Sequence, residues 1–92
     1  MKVFRMNGKD NSLEFTNYDR IDEEELFNAV MNKLKSNQNV LIGEQKKGPS
    51  EDFYECTIGN EPFTLWHDID FGPSIHSKNE IALKMLTEYF NN

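Results

Sequence analysis

Apolar residues recur along this chain with two periods, and the switch from one to the other divides it into elements. Val3, Phe4 and Met6 alternate imperfectly, and Asn7-Gly8 supplies a hairpin turn before Leu13-Glu14-Phe15-Thr16. A three-residue loop aligns Val3 with Leu13 and Lys2 with Glu14, whereas a four-residue loop aligns Phe4 with Leu13, and the pattern does not choose between them. Leu26, Phe27, Val30, Met31 and Leu34 then recur at helical spacing. Asp22 with Glu25 reads as a capping pair in front of that helix, Glu23-Glu24-Glu25 suit the positive end of its dipole, and Ser36-Asn37-Gln38-Asn39 closes it. Val40-Leu41-Ile42, bounded by Gly43 and by the turn-formers Lys46-Lys47-Gly48-Pro49-Ser50, is expected to be a buried strand with its exit loop.

The period returns to two in Phe53–Ile58 and Phe63–Asp70. Taking Gly59-Asn60-Glu61-Pro62 as a four-residue connection pairs Ile58 with Phe63, Cys56 with Leu65 and Tyr54 with His67, all on one face. The reverse face then carries Thr57 beside Thr64, Glu55 beside Trp66, Phe53 beside Asp68 and Glu51 beside Asp70. Gly72-Pro73 ends this stretch. Ser77-Lys78-Asn79-Glu80 reads as a capping box opening a second helix, with Ile81, Ala82, Met85, Leu86 and Tyr89 inward and Phe90 at the edge. The order β-β-α-β-β-β-α describes one α+β domain over residues 1–92, a two-layer arrangement in which a mostly antiparallel sheet of about five strands carries both helices on one face.

Length and charge narrow the function. Ninety-two residues leave room for one core, and seven Phe, three Tyr and one Trp can fill it. Cys56, the single cysteine, has no internal disulfide partner, and no apolar run resembles a signal peptide or a membrane span, so a cytoplasmic location is expected. Abundant Asn, and Lys in excess of Arg, accord with an AT-rich bacterial genome. The formal net charge of -6 opposes binding to nucleic acid and favours a basic protein partner. From Gly48 to Ser77 there is no Lys or Arg, while Glu51, Asp52, Glu55, Glu61, Asp68 and Asp70 all fall in that interval.

Candidate chemistry is sparse. Glu51, Phe53, Glu55, Trp66, Asp68 and Asp70 form the expected binding face, because carboxylates opposed across strands are costly and an outward Trp is a candidate anchor. The plainer reading is a solvated sheet face whose charges discourage edge pairing, with Trp66 tucked under the Gly72–Ser77 segment or the N-terminal hairpin. Asp68, Asp70 and His76 suggest a divalent cation, but His67 points to the opposite face from Asp68, and no three ligands converge. Cys56 and His67 share the inward face, where a nucleophile and base are less economical than a buried small hydrophobe and a histidine bonded near Tyr54. No cofactor motif is present. The expectation is a small acidic, non-enzymatic module that covers a basic protein surface, as small acidic inhibitors and immunity proteins do to nuclease toxins, an analogy of charge and size alone. The alternatives are a homodimer sealed through Phe53, Trp66 and Val40-Leu41-Ile42, and, third, a divalent-cation hydrolase.

Overall fold

A computed structural model describes residues 1–5 and 11–92. The chain runs β1 (Val3–Phe4), β2 (Ser12–Phe15), α1 (Glu23–Lys35), β3 (Val40–Lys47), β4 (Glu51–Ile58), β5 (Glu61–Asp68), β6 (Gly72–His76) and α2 (Glu80–Asn91). The strands form one six-stranded antiparallel sheet in the order β1-β2-β6-β5-β4-β3. The expected α+β class holds, with one strand more than the sequence pattern suggested. That strand is β6: Gly72-Pro73 opens it rather than ending the region, because proline's missing N–H is tolerated at the start of a strand.

Both helices pack on the same side of the sheet. Leu13, Ile75 and Leu65 lie in register across β2, β6 and β5, and all three are fully enclosed. From α1, Leu26, Phe27, Val30, Met31 and Leu34 meet them, as the helical spacing predicts. α2 supplies Ala82, Leu83, Leu86 and Phe90, with Met85 and Tyr89 partly buried beside them. This helix is turned from its expected orientation, leaving Ile81 exposed and Leu83 enclosed. Apolar residues occupy more than half of its circumference, so periodicity left the rotation open.

Local chemistry differs from expectation at several joints. The Asp22 side chain makes no capping hydrogen bond, and α1 instead draws on its acidic first turn and on Lys33 and Lys35 in its last. The cap of α2 is Asn79, whose Oδ1 accepts from the Ala82 N–H at 2.9 Å, while Ser77 Oγ bonds the Asn79 N–H at 2.9 Å one step upstream. Tyr89 closes the far end of α1 by donating to the Lys33 carbonyl at 2.6 Å. β1 and β2 pair Val3 with Phe15 and Phe4 with Glu14, neither expected register, so that Val3 and Phe15 both reach the core and Leu13 is left for Ile75. The turn expected at Asn7-Gly8 lies outside the described residues.

Val40–Lys47 is an edge strand rather than a buried one: Val40 is enclosed, but Leu41 faces solvent. A bulge between Ile42 and Gln45 shifts its register against β4. Gly43 permits the close approach there, since a Cβ at that position would stand 2.5 Å from the Glu55 carbonyl oxygen.

Candidate functional site

The β4–β5 hairpin sets the open face. Gly59 and Asn60 take φ of 55° and 69°, the conformation of a two-residue turn of the kind that matches strand twist. The connection is therefore two residues and not four, and every pair moves by two positions along β5: Phe53 faces Trp66, Glu55 faces Thr64, Glu51 faces Asp68, Tyr54 faces Leu65, Cys56 faces Phe63 and Ile58 faces Glu61. A two-residue shift preserves which side each residue points to, so the face survives and its neighbours change.

On the side away from the helices, Phe4, Glu14, Ser74, Trp66, Phe53 and Lys46 follow one another in register from one edge of the sheet to the other. Phe53 and Trp66 meet edge to face with ring centroids 4.9 Å apart. The His76 ring lies 4.2 Å from the indole on the other side and is hydrogen-bonded at 3.0 Å to Ser74. Trp66 is half-buried by these contacts within the sheet surface, with β6 beside it as a strand and not over it as a loop.

Of the expected site residues, the structure brings Glu51, Phe53, Glu55, Trp66 and Asp68 onto this face and leaves Asp70 in the turn after β5. Glu51 stands opposite Asp68, two like charges in direct cross-strand register, in place of the Glu51–Asp70 pairing that a four-residue connection gives. The face is not uniformly acidic, because Lys46 on β3 flanks Phe53. Asp52 points to the helix side and accepts from Gln45 Nε2 at 2.8 Å.

The β5–β6 turn adds residues that strand alternation could not supply. Asp68 Oδ1 accepts from the N–H groups of Asp70 at 2.8 Å and Phe71 at 3.1 Å, an Asx-type turn that fixes the backbone there. Ile69 and Phe71 are left 73% and 86% exposed, and Phe71 shares a cleft with Trp66. A cleft of about 340 Å³ opens between Trp66, Phe71 and His76 on one hand and Glu14, Asp68 and Ser74 on the other. Glu14 reaches it only because β2 pairs with β6, a neighbour relation that local sequence does not encode. An Asp-x-Asp followed by Phe and Gly was the available signal for the turn.

The other candidate chemistry takes plainer form. Cys56 is buried and its thiol is pushed up to about 11, chiefly by burial, with backbone hydrogen bonds at Gly43 and Leu65 opposing and Glu55 adding to the rise. A thiol held protonated is a poor nucleophile. His67 stacks on Phe27 at 4.1 Å with rings nearly parallel, so its partner is this ring rather than a hydrogen bond near Tyr54. The Tyr54 hydroxyl is shifted upward by burial and then by Asp52. Among the described residues no three His, Cys, Asp or Glu side chains stand together as a metal-ligand set, and no helix is long and apolar enough to cross a membrane.

A larger cleft of about 730 Å³ lies between the end of α1 and α2, remote from the open face. Two of its polar groups, Ser36 Oγ and Tyr89 Oη, are already spent on the Lys33 carbonyl. No protein-family model, curated protein or solved structure matches the chain. The functional argument therefore rests on the residues of the open face.

Proposed function

We propose that this chain is a non-enzymatic binding module whose open sheet face docks on a basic protein. The observation that carries the reading is the Phe53–Trp66 pair at the middle of that face, an aromatic anchor left half-covered beside Glu51, Glu55, Asp68 and Glu14. Large aromatics dominate the energetics of protein interfaces, and carboxylates around them steer a positive partner and raise its association rate. The like-charge pair Glu51 and Asp68 costs stability in isolation and is relieved when a cation of the partner lies between them. A small inhibitor of a basic toxin, binding in the cytoplasm, is the form of this function that charge and size suit best.

Affinity capture from the native host with wild-type and Trp66→Ala baits tests the reading, followed by kinetics on any partner retained. The expected partner is basic, Trp66→Ala weakens its binding by about 2 kcal/mol or more, and added salt slows association more than it speeds dissociation. Binding that ignores both salt and Trp66 overturns the proposal. A second reading, self-association, draws on exposed Leu41 in the long edge strand β3. The bulge at Gly43 and the charged Glu44, Lys46 and Lys47 blunt that edge. Light scattering at two concentrations separates the readings, since a dimer gains mass on concentration.

A further inference from the structure

We infer that the cleft beside Trp66 receives a single arginine side chain of the basic partner, an inference that rests on the docking face proposed above. Its volume of about 340 Å³ is at the small end of ligand sites, the scale of one side chain rather than of a cofactor. Among the described residues that line it there is no Lys or Arg, while the rings of Trp66, Phe71 and His76 share it with the carboxylates of Glu14 and Asp68. Both backbone donors of the turn go to Asp68 Oδ1, and Oδ2 accepts from no described residue. An apolar guest would strip water from Asp68 Oδ2 without compensation, and an anion would be repelled.

Guanidinium meets these demands better than ammonium. It is planar, weakly hydrated and able to lie against indole and phenyl rings while donating to a carboxylate. Phe71 sits at the rim, 86% exposed yet on a backbone fixed by Asp68 and turned by Gly72 at φ 77°, so its ring can cover a guest without strain elsewhere. A Cβ at Gly72 would stand 3.3 Å from Glu23 Cβ, so glycine is what lets this turn lie close to the start of α1.

The intact protein provides its own probe, because Trp66 is the one Trp in the chain and its fluorescence reports on the cleft directly. Titration with N-acetyl-arginine amide is expected to give a saturable spectral change with a Kd on the order of millimolar. N-acetyl-lysine amide should bind about threefold or more weaker, and neutral N-acetyl-citrulline amide should give no saturable change. Phe71→Ala removes a solvent-exposed ring, and Asp68→Asn keeps Oδ1 as the turn's acceptor while removing the charge. Each should weaken arginine binding by about fivefold or more, with the thermal midpoint showing that the variant folds. Equal responses to arginine and citrulline, or none to either, overturn the inference. A basic partner lost by Trp66→Ala but held equally by Phe71→Ala and Asp68→Asn overturns the cleft and leaves the docking face standing. Partner binding indifferent to salt and Trp66 removes the face itself.

Discussion

The two sides of the sheet are made from alternate residues of the same strands, yet they use their aromatic and aliphatic groups in opposite ways. Beneath the helices, Leu13, Ile75 and Leu65 run in register and are fully enclosed by Val30, Leu34, Leu83 and Leu86. One residue out of phase, Glu14, Ser74, Trp66 and Phe53 run in register and no helix covers them. The first side gains its free energy within the chain, by removing apolar area from water at roughly 25 cal/mol per Å². The second leaves indole, phenyl and carboxylate groups whose burial is still to be gained, and that is what an interface requires. Free energy held in reserve on one face is supported by complete packing on the other.

The strongest test of that division substitutes neighbours on one strand. Leu65→Ala opens a cavity in the covered face and is expected to cost about 2–5 kcal/mol in denaturant unfolding. Thr64→Ala, one residue away on the open face, should cost about 1 kcal/mol or less. Comparable losses at both positions would show that the open face also stabilises the fold, and the contrast would fail.

A next, smaller effect isolates one group of the covered face by pH. Cys56 has its thiol raised in the fold to about 11 from an ordinary 9.0. The folded state therefore favours the protonated thiol, and its contribution is complete below the unfolded value. It is lost as pH rises from about 9 to about 11, by on the order of 2 kcal/mol. Stability of wild type minus that of Cys56→Ala, measured across this window, should fall with pH. A flat difference would mean that the thiol is not held in an apolar site. Rapid alkylation of the native protein near neutral pH would say the same.

How much of this was legible in the chain follows from what each signal depends on. The inner positions of α1, and the sides taken by Phe53, Trp66, Tyr54, Cys56 and Leu65, follow from period alone, and period survives a register error of two. The pairing of Trp66 with Phe53 depends on Gly59-Asn60 closing in two residues, which the following Glu61-Pro62 disguised as a longer loop. β6 was hidden by Gly72-Pro73, and with it the proximity of Glu14 and His76 to the indole, because the β2–β6 pairing joins residues far apart in sequence. Thus one side of the candidate site was readable residue by residue, and the cleft was not.

The two helices offer a milder contrast on the covered side. Asn79 caps α2 through its side chain, while Asp22 makes no such bond to α1. Asn79→Ala is expected to lower stability by about 1 kcal/mol. Asp22→Ala should have about half that effect or less, leaving only its interaction with the helix dipole. Equal losses in thermal melts would indicate that the two helix starts are stabilised in the same way.

The smallest expected effect addresses the open face itself. In a double-mutant cycle with Phe53→Ala and Trp66→Ala, the coupling for folding should lie at the low end of the roughly 0.5–1.5 kcal/mol typical of aromatic pairs. Water reaches both rings and already solvates part of the surface that the contact would otherwise bury. A coupling above about 2 kcal/mol would mean that the pair belongs to the fold as firmly as Leu13 with Ile75. It would then hold little in reserve for a partner. A coupling near the low end, together with a large loss of partner affinity in Trp66→Ala alone, places the value of the indole in binding. The same ring would be nearly indifferent to the isolated chain and decisive once a basic surface lies against it.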